Sequence, residues 1–371
     1  MLRDRRVVAL LAAEVVSTAG SQMTWLALPW FVLVTTGSAT RMSIVVGAEL
    51  IGLGVLALPG GKLLRRYGAR RTMLACDGAR GVLMVGVPLL HWAGALSFGV
   101  LVALVALLGA LSAPYFAAQK SIVPELLGED EALIGRASAL FQGATRATML
   151  LGPLAAGVLI ATLSAPAVLV ADAATYGLAV LLVWAFVPRR PPLVEEDGAG
   201  GVSEGIRFLL RDRLLRVWTP VFSLGDAAWT AFFVNVPVLV VTRFDADPRV
   251  AGWLFASFGV GALAGNVIVY RVLLERVQGL ALIAACVLGQ ALPLWLLTGD
   301  FSALVYSAAL AASGVANGLV NPSIHALMTL RVPPVLRASV MTTAMVVFTV
   351  AQPLGVFAAG PVPLAALRET A

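Results

Sequence analysis

The sequence predicts an all-α integral membrane protein built from two repeated helical bundles, and three observations carry that reading. The first is composition: 60% of the 371 residues are hydrophobic and 12% are charged, whereas a soluble body carries roughly 25% charged residues. The second is continuity. Charge-free apolar stretches recur along the chain, each long enough to cross about 30 Å of hydrocarbon with about 20 helical residues. Being continuous rather than alternating, they predict helices and not a barrel. The third is a repeat: Arg136-Ala137-Ser138 and Arg337-Ala338-Ser339 each stand at an expected helix start, followed 17 and 16 residues beyond the arginine by Pro153-Leu154 and Pro353-Leu354. Val123-Pro124 and Val332-Pro333 precede the two copies, behind apolar spans broken by Pro114 and Pro322. Repeated halves rocking against each other give alternating access to a site between them, so the pattern points to a secondary transporter.

Eleven spans are expected, near residues 7–34, 42–62, 74–92, 97–119, 138–162, 166–187, 217–241, 250–272, 279–298, 302–329 and 339–361. The first is too long for the apolar core of a signal peptide and lacks an obvious small-residue cleavage site, so it is expected to be retained. Residues 81–119 contain no Asp, Glu, Lys or Arg; too long for one crossing, the stretch divides at His91-Trp92-Ala93-Gly94. One substantial polar linker, 188–216, opens with Pro-Arg-Arg-Pro-Pro and runs through the acidic, Gly-rich stretch Glu195 to Gly201. It separates a six-helix bundle, 1–187, from a second bundle, 217–371. Within it, Ser203 to Arg216 reads as a short amphipathic helix on the inner membrane face, with Ile206, Leu209, Leu210 and Leu214 on one side.

Charge between the spans sets orientation. Placing the N-terminus and every second loop in the cytoplasm puts 20 of the 26 Lys and Arg residues inside, as the positive-inside rule requires. Arg41, Arg243, Arg249 and Arg368 then face out, and Arg80 and Arg146 lie within spans. The net charge of +6 is accounted for by those inner loops, so no nucleic-acid partner is needed. The reading is a multi-pass protein of a bacterial-type inner membrane, N-terminus cytoplasmic, acting as a monomer.

Between spans two and three runs Gly61-Lys62-Leu63-Leu64-Arg65-Arg66-Tyr67-Gly68-Ala69-Arg70-Arg71. It resembles the cytoplasmic loop signature of the major facilitator superfamily, Gly-x-Leu-x-Asp-Arg-x-Gly-Arg-Arg. Gly61, Leu63, Arg66, Gly68 and Arg70 match, while Arg65 replaces the signature acid and Ala69 a basic residue. The resemblance implies a gating role for this segment, with the acid-dependent latch altered. In span five, Gly152-Pro153-Leu154-Ala155-Ala156-Gly157 resembles the Gly-Pro-x-x-Gly-Gly element of drug antiporters in the same superfamily; proline bends a helix and glycine admits a close neighbour. Asp77-Gly78-Ala79-Arg80 and Thr36-Gly37-Ser38-Ala39 resemble the subgroup of enterobactin and macrolide exporters. The span-four arginine of many proton-coupled drug antiporters is absent, since no charge lies between Arg80 and Lys120.

Several features favour ordinary structural readings. Gly259-Val260-Gly261-Ala262-Leu263-Ala264-Gly265 imitates a dinucleotide loop but follows no strand, so close helix packing is expected. His91 and His325 lack neighbouring carboxylates or cysteines in sequence, and Cys76 and Cys286 stand singly in separate halves. No cofactor, metal site or catalytic triad is expected.

Ionisable groups inside spans are costly unless they face a cavity or a partner, which makes Glu14, Glu49, Asp77, Arg80, Arg146, Asp172 and Asp226 the candidates for function. Glu49, Glu14 and Asp226 are expected to titrate protons or attract cations. Asp77 and Arg80 are spaced for an i, i+3 ion pair that serves the inner gate. Arg146 is expected to pair with a carboxylate, and Asp172 to bond between helices. Asn235, Asn266, Gln290, Asn317 and Asn321 either line the cavity or tie helices together. Trp25, Trp30, Phe31, Trp229, Phe232 and Phe233 bring aromatic rings to the first helix of each half, suited to a lipophilic or cationic substrate.

The counterpart of span six should begin near residue 366, and Pro361 to Ala371 is too short to cross; a missing twelfth helix and an outside C-terminus are the expectation. Together these features predict proton-coupled export of a small lipophilic molecule such as a drug, macrolide or siderophore. The alternatives are a proton-coupled importer, a lipid-related permease, a membrane-embedded lipid or prenyl enzyme, and an inactive truncated remnant. The enzyme reading lacks the Asp-rich motif it would need, and no Walker loop is present.

Overall fold

The computed structural model of the chain describes residues 5–57, 59–127, 131–189, 202–269 and 280–359. It contains α1 (Arg5–Thr36), α2 (Ala39–Ala57), α3 (Pro59–Tyr67), α4 (Ala69–Trp92), α5 (Phe98–Leu127), α6 (Glu131–Thr162) and α7 (Ala165–Phe186). After the linker come α8 (Val202–Arg211), α9 (Leu215–Arg243), α10 (Pro248–Ile268) and α11 (Leu280–Ala291), a 3-10 turn at Leu292–Thr298, α12 (Ala303–Arg331) and α13 (Pro334–Ala359). Among the described residues ten helices are long and apolar enough to cross a membrane, and the ninth expected span is a shorter apolar helix, Ala285–Leu297. The acidic stretch from Glu195 to Gly201 and the segment from Pro361 to Ala371 lie outside the described residues.

Local chemistry sets the boundaries. The split expected at His91-Trp92-Ala93-Gly94 is made by Gly94, whose φ of 68° suits glycine and whose N–H reaches the His91 carbonyl at 3.0 Å. Span two ends earlier than expected, at Ala57, because Pro59 opens a new helix; proline has no N–H to give and is accommodated in a first turn. The loop signature therefore rides largely on a short helix, α3. Asp247 opens α10 by accepting from the Arg249 N–H at 2.9 Å, with Pro248 in the first turn. The amphipathic helix stops at Arg211 instead of Arg216: the Asp212 carboxylate takes the N–H groups of Leu214 and Leu215, both at 2.9 Å, and so starts α9 afresh.

Within the first half α1 packs against α6 and α7, α2 against α5, and α4 against α5 and α7. In the second half α9 packs against α13, and α12 against α10 and α11. Among the described residues the two main seams between the halves are α6 with α10 and α2 with α13, with smaller contacts of α1 and α2 on α9. Lipid tails are as apolar as leucine, so these contacts depend on close backbone approach rather than on a hydrophobic drive. The repeat is legible in them. A Cβ at Gly52 would meet the Ala106 carbonyl and one at Gly109 the Glu49 carbonyl; in the second half Gly261 meets the Ala311 carbonyl and Gly314 that of Phe258. Gly265 and Gly318 extend the second seam against Val315 and Ala262, so the Gly259 to Gly265 run packs helices.

The central cavity

A cavity of about 720 Å³ lies between the halves. Its first-half wall carries Glu14, Glu49, Arg80, Gln119 and Lys120; its second-half wall is Phe233, Val234, Pro237 and Phe255. The lining runs from Trp25 and Pro29, in the second half of α1, to Lys120 and Phe141 near the end where α5 finishes. At the other end the halves meet. Gly157 of α6 faces Gly252 of α10, and a Cβ on either would lie within 3.1 to 3.2 Å of the other's Cα. Phe357 of α13 likewise covers Gly47 of α2.

Glu14 is buried yet held on three sides. Thr18 donates to its Oε1 at 2.9 Å, Tyr115 to Oε2 at 3.2 Å, and Gln119 Nε2 to Oε1. Glu49, half-buried on α2, faces the cavity, its backbone fixed by Gly109. The Asp77–Arg80 pair forms as spaced, at 3.3 Å, but it is deeply buried and Arg80 lines the cavity. Arg80 also donates to Tyr176 Oη at 2.7 Å and Ser21 Oγ at 3.4 Å, and it is clasped between the rings of Tyr115 and Tyr176, 5.1 and 4.4 Å away. Asp172 is fully buried behind this wall; it bonds across to α1 by accepting from Thr24 at 2.6 Å, and within α7 it accepts from Thr175 at 3.2 Å.

Other expected residues lie elsewhere. Asp226 accepts from Gln352 at 2.6 Å, tying α9 to α13, and does not line the cavity. Asn235 bonds the Ala231 carbonyl of its own helix at 2.8 Å, and Asn317 reaches Gln290 at 3.4 Å between α12 and α11; neither is in the wall. Arg146 is exposed on α6, and among the described residues no ion pair joins it to a carboxylate. Of the aromatic residues, Trp25 and Phe233 face the cavity, while Trp30 is buried. Rings cluster around Phe233: Trp229 and its wall neighbour Phe255 are tilted against it, and Phe232 and Phe258 meet it edge-on, at 4.9 to 6.0 Å between centroids.

In the loop signature, Leu63, Arg65 and Arg66 are exposed, with Arg66 over the Tyr67 ring at 5.4 Å, and Gly68 turns the chain at φ 77°. Gly61 lies on α3. Arg70 turns inward, donating from Nε to the Val187 carbonyl at 2.6 Å and from its terminal nitrogen to that of Trp184 at 2.8 Å. A cation there satisfies the open carbonyls at the end of α7. In the span-five element, Gly152 packs on Gln22 of α1, while the Pro153 carbonyl and Gly157 receive Gly252. Gln119, Tyr115, Tyr176, Thr24 and Phe255 escaped sequence reasoning because their partners lie on other helices, far along the chain. Among the described residues no three of His, Cys, Asp and Glu gather around a metal position.

Two repeated helical halves enclosing a cavity, joined by seams of α6 with α10 and α2 with α13, define a secondary membrane transporter rather than an enzyme. The chain belongs to the Major Facilitator Superfamily, whose profile it matches over residues 10–356. It is similar to the multidrug efflux pump Tap of Mycobacterium tuberculosis, 26% identical over 96% of this chain and 87% of that protein. The Tap pump of Mycolicibacterium fortuitum is 27% identical over 96% and 89%. Among solved structures, the nucleoside transporter NupG superposes with a TM-score of 0.73 at 13% identity, covering 96% of this chain and 89% of that one. A bacterial homologue of the iron transporter ferroportin in an inward-facing state gives 0.72 at 15%, covering 99% and 97%. These likenesses are of fold. The protein acts on a small-molecule substrate from within a membrane.

Proposed function

We propose that the protein exports a small lipophilic compound in exchange for protons, as a monomer in a bacterial-type plasma membrane with its N-terminus in the cytoplasm. Two units rock about the cavity, residues 1–187 and 217–371, joined by the linker 188–216. In that orientation the cavity extends toward the cytoplasm, ready to take cargo, and the Gly157–Gly252 seam closes the outer side. The observation that carries the reading is the opposition of its walls. Carboxylates stand on one side at Glu14 and Glu49, and the apolar surface of Phe233 and Phe255 stands on the other. Glu49 and Glu14 take up and release the protons, and the aromatic wall seats the apolar body of the cargo. The likeness to pumps named for multidrug efflux supports export over import.

The test is accumulation of a cationic dye and of a macrolide in a drug-sensitive, efflux-deficient bacterium, with and without a protonophore. Extrusion that the protonophore abolishes, and that Glu49→Gln or Glu14→Gln abolishes with the protein still in the membrane, is the expected result. Extrusion insensitive to the protonophore would remove proton coupling. Unchanged accumulation would remove export of these compounds.

A further inference from the structure

Helix α8 presents three different faces. Gly205 and Leu209 are buried, and a Cβ at Gly205 would lie 2.7 Å from the Ser339 carbonyl oxygen and 2.9 Å from the Thr343 Cβ, so α8 lies tightly on α13. That contact falls at the start of the membrane-spanning stretch Ser339–Ala358, and the next spanning helix begins at Leu215. Both neighbours hold α8 at the edge of the apolar layer. Beside the buried face Ile206 and Leu210, one turn apart, are 45% and 60% exposed. Next around the helix come Arg207 and Arg211, also one turn apart and exposed, followed by exposed Arg213 and Arg216.

Aliphatic side chains left open at this level, with a row of arginines alongside, match a bilayer surface of negative charge: apolar groups enter the acyl boundary while cations meet phosphates. Guanidinium groups suit this because their forked donors pair with phosphate oxygens. We propose that α8 is a docking strip for anionic phospholipid, with Ile206 and Leu210 in the acyl boundary and Arg207 and Arg211 on the headgroup phosphates. Because α8 is packed on α13, which forms one of the two main seams between the halves, the strip ties the position of the second half to the lipid around it. This inference stands apart from the cargo and the coupling ion.

The full chain carrying Cys76→Ala, Cys286→Ala and Ile206→Cys is labelled with bimane and reconstituted in mixed phosphatidylcholine and phosphatidylglycerol vesicles, one lipid or the other brominated. Brominated phosphatidylglycerol should quench the label more strongly than brominated phosphatidylcholine. Arg207→Gln and Arg211→Gln should each lower that preference about fivefold. A label at Val287→Cys, on an exposed apolar site of α11, should show no preference. Equal quenching by both lipids at position 206 would overturn the proposal. So would absence of quenching until Glu195, Glu196 and Asp197 are neutralised, a result that would seat the chain's own linker on the strip.

Discussion

Glu49 and Phe258 occupy matching places in the two halves. Gly109 packs on the carbonyl of one and Gly314 on the carbonyl of the other, and one turn away the Gly52–Ala106 contact is matched by Gly261–Ala311. At this register the first half presents a carboxylate to the cavity, and the second a phenyl ring that backs the cavity wall against Phe233. The matched seams allow a matched test. Gly109→Ala and Gly314→Ala each press a methyl group into backbone, costing about 1–3 kcal/mol, so both should lower the thermal unfolding midpoint in detergent by similar amounts. In the cell-based dye assay only Gly109→Ala should reduce protonophore-sensitive extrusion beyond its effect on protein level, because only it displaces Glu49.

The Gly157–Gly252 contact should govern which side of the molecule is closed. A Cβ at Gly157 would lie 2.5 Å from the Pro248 carbonyl oxygen, and one at Gly252 2.6 Å from that of Pro153. Gly252→Ala is therefore expected to disfavour this arrangement and populate the one with the seam parted. Distances between spin labels on α6 and α10, measured by pulsed electron paramagnetic resonance, should lengthen at that end. Unchanged distances in a folded variant would remove the seam as a determinant.

Arg80 is the cation around which the buried first-half network is arranged. Arg80→Met leaves Asp77, 2% exposed, without its partner, and stranding one member of a buried pair costs about 3–5 kcal/mol. The variant should unfold at markedly lower temperature. Adding Asp77→Asn to it should recover part of the loss, a coupling of about 0.5–3 kcal/mol in a double-mutant cycle.

Asp212 joins the turn before α9 to the end of α12, receiving Arg331 Nε at 3.0 and 2.8 Å. Its partial burial pulls its pKa upward, but the Leu215 N–H, Arg331 and the Leu214 N–H outweigh that and hold the carboxyl below its ordinary value. A carboxylate with a depressed folded-state pKa adds stability that is present above its unfolded value of about 4 and is lost as pH falls through the folded value. Asp212→Ala should cost about 0.5–2 kcal/mol at neutral pH, in the range of a lost helix cap. Asp212→Asn, which keeps an acceptor for the backbone, should cost less. The gap between wild type and Asp212→Asn should shrink in unfolding curves taken below about pH 4.

The fold was largely readable because the bilayer imposes simple rules: continuous apolar runs, charged loops between them and a doubled pattern of proline and arginine sufficed for the helices. The Asp77–Arg80 pair was readable because three residues along a helix is a local distance. Its enclosure by Tyr115 and Tyr176 was not, since those rings arrive from α5 and α7. The lack of a partner for Arg146 was not readable for a related reason: apolar neighbours in sequence do not reveal what a side chain meets in space, and Arg146 is exposed on α6 with no carboxylate paired to it among the described residues. Asp226 and Asn317 are polar groups inside spans, as sought, yet they spend their bonding capacity on neighbouring helices. Asp212 changed a helix boundary through its own side chain, which hydrophobic periodicity does not register.

The unlike chemistry of the two cavity walls bears on how such a chain can evolve. With its ionisable groups gathered on the first-half wall and an aromatic cluster across from them, substitutions at Phe233 or Phe255 can reshape the space for cargo while leaving every charged hydrogen bond of the opposite wall in place. The two halves share one glycine-packed register, and at its matched positions Glu49 and Phe258 the first half carries a carboxylate and the second a phenyl ring, so cargo fit and charge can be altered on separate walls.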